Sequence, residues 1–230
     1  MRGIKRALLF SLIAIVAACT TLIGAGIYLT RPHHNQVGPP PPGLQLRTVS
    51  IPASDGTHLS AWYRPSSGHG ASVLLLHGVG ADRRSMLGQA RFLIQQGYGV
   101  LMPDLRAHGE SGGERVTLGW REAGDVQAAF EWLEEKDKPC AMGLIGFSLG
   151  AVAATLSESR DRWDALILEA MFPNLEDAVA NRLEMRLGAW ARSLSPLLLV
   201  QTRWYLGVGS SVINPAKSLV EIKAPVLLIG

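Results

Sequence analysis

Ten residues, 141–150, constrain this chain more than any other stretch: Ala-Met-Gly-Leu-Ile-Gly-Phe-Ser-Leu-Gly. Apolar residues lead into Gly146-x-Ser148-x-Gly150, and the small residues Ala151, Ala153 and Ala154 follow. The pattern predicts a short buried strand, a tight turn and a helix start. So sharp a turn strains the backbone of its central residue, and flanking glycines remove side chains that would collide. Ser148 Oγ is then lifted out of the sheet at a helix N-terminus, where partial positive charge favours a developing anion. In a chain with 25 glycines the motif alone is weak. Its surroundings decide between a nucleophile and a glycine-rich turn without chemistry.

Those surroundings alternate. Residues 46–51 and 58–63 read as two strands joined by a turn at Ser54-Asp55-Gly56. Segments 72–76 and 99–102 are continuous apolar runs, as expected of strands buried on both faces. Between them, 84–96 has helical spacing in Met86, Leu87, Ala90, Phe92 and Leu93, and Gly97 stops it. An amphipathic helix is predicted over 120–136, with Val126, Ala129, Phe130 and Leu133 on one face. A helix runs from the Ser148 turn to about residue 160, and 165–168 is a further strand. This alternation argues an α/β fold with a mostly parallel sheet and helices on both faces. Residues 172–223 break the rhythm with a helical pattern of Leu183, Leu187, Trp190, Leu194, Leu197 and Leu198, which reads as an excursion capping the site. One more strand begins at 224–229.

The N-terminus has a different character. No charged residue occurs from 7 to 30, a run about 35 Å long as a helix and sufficient to cross a bilayer. Arg2, Lys5 and Arg6 precede it, which places the N-terminus in the cytoplasm and the rest outside, in the inner (cell) membrane. A cleaved signal peptide is one alternative. Another is lipidation of Cys19, because Val16-Ala17-Ala18-Cys19 resembles a bacterial lipobox. The apolar run continues past Cys19, which favours an uncleaved anchor over residues 1–30. Residues 31–43 contain Pro39-Pro40-Pro41-Pro42 and read as an extended, semi-rigid linker, so the globular part is expected over 44–230. The net charge of +3 comes with no basic stripe interleaved with aromatics, which argues against nucleic acid as a partner. Two distant cysteines give neither a disulfide framework nor a metal spacing.

Three motifs now stand in order: His77-Gly78 after one strand, Asp104-x-Arg106-x-x-Gly109-x-Ser111 after the next, and Gly146-x-Ser148-x-Gly150 after the third. From about residue 46 to 230 the chain resembles the α/β-hydrolase superfamily, particularly membrane-anchored or secreted esterase-, lipase- and acylaminopeptidase-like members. The resemblance implies Ser148 as nucleophile, and the backbone N–H groups of Leu149 and Val79 as oxyanion donors. One such donor is typically worth about 3 kcal/mol of transition-state stabilisation. Gly146 and Gly150 would shape the nucleophile turn. His77, Gly78, Asp104 and Arg106 would support the oxyanion loop, the last two as an ion pair or through backbone bonds. The superfamily usually has glycine where this chain has Ala107. No cofactor or metal is implied, and the substrate would be a small or lipid-like acyl compound.

A serine nucleophile needs a base and an acid to orient it. All six histidines, His33, His34, His58, His69, His77 and His108, precede Ser148, whereas the superfamily order is Ser, acid, His. His108 is the one local candidate, yet it matches a loop position that is not catalytic in the superfamily. Glu169 is an alternative acid, though a structural reading suits it better. In most members the acid follows the strand that here ends at Ile229, and the histidine comes later. The expectation is therefore a membrane-tethered serine hydrolase of esters, thioesters or amides, of which this chain is the N-terminal part and lacks the last strand and helix. The alternatives are a non-catalytic binding or scaffold protein of the same fold, or the same fold with different chemistry, such as C–C bond hydrolysis or perhydrolysis.

Overall fold

A computed structural model describes residues 2–68 and 70–230; Met1 and the loop residue His69 lie outside the described residues, as do the side chains of residues 2–5, 7 and 8. The chain begins with helix α1 (Arg2–Leu29) and the two-residue strand β1 (His33–His34). Then come β2 (Arg47–Pro52), β3 (His58–Arg64), β4 (Ala71–Leu76), α2 (Leu87–Gln95), β5 (Gly99–Pro103) and the short β6 (His108–Gly109). Next are α3 (Glu122–Asp137), β7 (Ala141–Phe147), α4 (Leu149–Leu156) and β8 (Ala165–Glu169). The excursion holds α5 (Leu175–Leu187), α6 (Ser195–Leu199), α7 (Thr202–Tyr205) and α8 (Pro215–Leu219), and β9 (Val226–Ile229) follows.

Seven strands form one mixed sheet in the order β2-β3-β5-β4-β7-β8-β9. β3 pairs antiparallel with β2 and β5; the remaining pairs are parallel. Alternation along the central strands divides the core in two. On one face Leu74, Leu76 and Leu101 pack with Val126, Phe130 and Leu133 of α3 and with Ala151 and Ala154 of α4. On the other, Val73, Leu75, Val100 and Met102 pack with Ala90 and Leu93 of α2. The apolar runs of β4 and β5 thus follow from burial on both faces.

Several boundaries differ from the expectations. The helix expected from 84 starts as a 3-10 turn, Arg83–Met86, capped by the Asp82 carboxylate, which accepts from Arg84 N–H. α4 stops at Leu156 because Ser157 turns to extended backbone, and a 3-10 turn over Glu158–Asp161 replaces its last stretch. The segment 31–43 is not a free spacer. β1 pairs in parallel with β6, His33 N–H donates to Ala107 O, Asn35 N–H donates to Gly109 O, and the Glu110 carboxylate accepts from Val37 and Gly38 N–H. Backbone groups carry this docking, and proline content says nothing about them.

α1 contains a stretch, Leu9–Leu29, long and apolar enough to cross a membrane; a signal sequence meets the same criteria. Its C-terminal part touches the excursion: Gln201 Nε2 donates to Leu22 O and Tyr205 Oη to Ile23 O.

Candidate active site

Ser148 sits between β7 and α4 with φ 48° and ψ −106°, a left-handed conformation for a residue with a side chain. Strain of this kind costs on the order of 1–3 kcal/mol and persists only where the surroundings enforce it. Here they do. Ser148 N–H donates to Glu169 O at the end of β8, Ser148 O accepts from Val152 N–H, and Gly150 N–H donates to His77 O. The turn leaves no room for side chains on its glycines. A Cβ on Gly146 would lie 2.7 Å from Ala151 N, and one on Gly150 would lie 2.7 Å from Leu76 O. Among the described residues Ser148 Oγ makes no hydrogen bond.

The His77–Gly80 loop lies directly against this turn. A Cβ on Gly78 would be 2.8 Å from the Phe147 ring and 3.4 Å from Ser148 Cβ. The Gly150–His77 bond joins the loop to α4. Val79 and Leu149, each beside one of these contacts, have backbone N–H groups that donate to no acceptor among the described residues. Leu149 is the first residue of α4, where a free N–H is inherent to helix geometry. The fold thus brings the loop that carries Val79 against the turn that carries Ser148 and Leu149. Such an arrangement suits a developing oxyanion.

Two buried histidines hold the loop. His77 Nε2 accepts from Leu105 N–H at 2.9 Å, so its Nδ1 carries the proton and donates to Gly78 O at 2.8 Å. His108 Nε2 accepts from Gly80 N–H at 3.0 Å, and its Nδ1 donates to Arg106 O at 2.9 Å. Burial holds both rings down to about 4, so both are neutral at pH 7. His33 of β1 stacks on His108 with ring centroids 5.3 Å apart. With both nitrogens engaged, His108 has no lone pair for a serine proton. His34 Nε2 contacts Gly113 O, and His58 begins β3.

Asp104 and Arg106 do not pair with each other. Asp104 accepts from the backbone N–H and Nη1 of Arg83, at 2.7 and 2.6 Å, and from Glu110 N–H at 2.9 Å. Arg83 is fully buried, also pairs with Glu110, donates to Ser60 Oγ and lies over the Trp62 ring. Arg106 instead binds Asp125 of α3 through Nε, Nη2 and its backbone N–H, and reaches Asp55. Side chains on one loop point to opposite sides, so each finds a partner distant in sequence. Arg83 was missed in the sequence; the signal was its place directly after His77-Gly-Val-Gly-Ala-Asp. Ser111 Oγ donates to Asp104 O and accepts from Ser60 N–H, closing the loop. Ala107 has φ 58°, which explains why glycine suits that position, and Gly109 abuts the Asp104 carboxylate. Glu169 is half-buried, and its carbonyl rather than its carboxylate meets Ser148. Among the described residues no group of three or more His, Cys, Asp and Glu side chains is arranged to hold a metal.

Residues 68–220 match the family described as serine aminopeptidase, S33. The chain is 27% identical over 192 residues to YqkD, an uncharacterised Bacillus subtilis protein, covering 81% of this chain and 62% of that one. It therefore spans less than two thirds of the length of this curated relative. The structure resembles the Pyrococcus furiosus esterase Pf2001, with TM-score 0.67 and 29% identity over 87% of this chain and 76% of that one. The Exiguobacterium antarcticum esterase shares the fold, with TM-score 0.50 and 20% identity over 78% and 79% of the two chains.

Proposed function

Because the chain belongs to the serine aminopeptidase S33 family, within the α/β-hydrolase superfamily, and is thus a hydrolase of the α/β type, we propose that it acts on an ester, thioester or amide through an acyl-enzyme on Ser148. The observation that carries this reading is the strained Ser148, whose Oγ and the nearby N–H groups of Val79 and Leu149 make no hydrogen bond among the described residues. Ser148 Oγ would attack the acyl carbon, its proton would pass to a base, and the two amides would receive the oxyanion. His77, Gly78, Asp104 and Arg106 then serve as loop supports, and Gly146 and Gly150 give the turn its clearance. Likeness to the Pyrococcus furiosus esterase supports a small or lipid-like acyl substrate.

The engaged nitrogens of His77 and His108 favour a second reading, a non-catalytic member of the fold. The two separate by assay of p-nitrophenyl acetate with the full-length protein and its Ser148→Ala form: the acyl-enzyme reading expects Ser148-dependent turnover, whereas a non-catalytic member leaves the two forms indistinguishable. The 230-residue chain by itself should match its own Ser148→Ala form, because His108 is engaged at both nitrogens; Ser148-dependent turnover there would show that a base lies within these residues. His108→Gln would then be the next variant to compare.

For the N-terminus we propose an uncleaved anchor over 1–30, with the hydrolase domain over 44–230 outside the cytoplasm and 172–223 as its cap. A reporter active only outside the cytoplasm, fused after Gly43, should work. Intact mass tests the alternative, since a diacylglyceryl Cys19 at the N-terminus would refute the uncleaved anchor.

A further inference from the structure

The contact between α1 and the excursion fixes the depth of one relative to the other. Gln201 and Tyr205 hold the carbonyls of Leu22 and Ile23, and the Tyr205 ring packs on Gly26. At about 1.5 Å per residue, Leu22 lies roughly 10 Å and Gly26 roughly 5 Å short of the helix end at Leu29. If α1 spans a bilayer up to Leu29, α6 and α7 lie beside its outermost turns, at the depth where acyl chains meet headgroups.

The surface of these elements fits that position. Trp204 is 76% exposed, Val200 69% and Trp190 66%; Leu197 and Met185 are exposed as well. Leu197, Val200 and Trp204 lie on or directly after α6 and α7, the elements that touch α1, and large apolar side chains left exposed there mark a surface made for a non-aqueous neighbour. Tryptophan favours the bilayer interface, with its ring in the apolar part and its N–H toward water. Arg182, Arg186 and Arg203 are exposed and form no ion pair among the described residues, so they are free to reach lipid phosphates.

We infer that the excursion is a membrane-docking surface: α6, α7 and the Trp190 turn sit in the bilayer interface beside α1, with Trp190, Val200 and Trp204 among the lipids. This rests on the anchor reading of α1.

The test uses the full chain in vesicles of phosphatidylcholine with roughly a third phosphatidylglycerol, with and without brominated acyl chains. A fluorophore on Cys19, in the Cys140→Ser background, reports whether α1 is in the bilayer. Tryptophan emission reports the excursion. Bromolipid should quench both, and Trp190→Phe/Trp204→Phe should lose at least about half of the tryptophan quenching while the Cys19 probe is unchanged. A quenched Cys19 probe with the same tryptophan quenching in both forms would overturn the docking surface and leave the anchor standing. An unquenched Cys19 probe would overturn the anchor and the docking surface together. Trp190 and Trp204 shielded from lipid by cross-linking to a second copy of the chain would also overturn it.

Discussion

The loop over 104–111 and the excursion over 172–223 both interrupt the regular α/β alternation, and they are held by opposite means. The loop is fixed by buried polar groups: Asp104 with Arg83, Arg106 with Asp125, His77 with Leu105 N–H and His108 with Gly80 N–H. The excursion closes over a small apolar cluster of Leu175, Leu206 and Ile213 on Val152. Its ion pairs, such as Arg192 with Asp177 and Glu184, lie at the surface. Buried polar networks give one defined geometry at the risk of large losses when one member changes. Surface pairs around a small apolar contact tolerate change. If Val79 is an oxyanion donor and 172–223 a cap, as proposed, the first design suits the loop that supports the donor and the second suits the cap.

Acid should break this contrast most strongly. His77 and His108 are held at about 4 by burial, whereas exposed histidine titrates near 6.5. The unfolded state therefore binds more protons between these values. The stability from keeping the rings neutral is complete above about 6.5 and is lost as pH falls toward 4, by about 3 kcal/mol for each ring. Burial raises Asp125 to about 7, and its protonation opposes this loss over the same range, so the urea unfolding midpoint from pH 7 to 4.5 should fall by less than the two rings alone would give. The excursion contains no histidine, so hydrogen exchange should rise first in residues 77–80 and 104–111; a first rise in 172–223 would reverse the contrast.

Next in size is Arg83→Met, which keeps volume but strands the Asp104 carboxylate in the core. Removing one partner of a buried pair costs about 3–5 kcal/mol, and chemical denaturation should show a loss of that order. Gly150→Ala should cost about 1–3 kcal/mol through collision with Leu76, lowering the melting temperature. At the small end, Arg192→Ala in the excursion should change stability by less than about 1 kcal/mol in the same denaturation assay, because its partners are half-exposed. A loss there as large as that of Arg83→Met would erase the distinction between the two regions.

What was legible in the sequence divides along the same line. β7, the Ser148 turn and the start of α4 were readable because apolar run, glycines and small residues act on their immediate neighbours. The central strands were readable because burial on both faces demands continuous apolar runs. The partners of Asp104 and Arg106 were not, because Arg83, Asp125 and Asp55 reach that loop only after the sheet forms. The docking of 33–38 was hidden for a related reason. Most of its hydrogen bonds are made by backbone groups or received by Glu110, with His34 reaching Gly113 O and His33 stacking on His108, and the prolines that follow do not reveal these partners. The end of α4 at Leu156 was missed because Ser157-Glu-Ser-Arg holds neither proline nor glycine to mark a stop, while the backbone of Ser157 turns extended.

The measurement that bears most directly on the central claim, a nucleophile at Ser148, is labelling of the full-length protein with a fluorophosphonate probe, followed by peptide mapping. A covalent adduct on the Ser148 peptide, absent in Ser148→Ala, is the expected result. No adduct, or equal labelling of the alanine form, would contradict it.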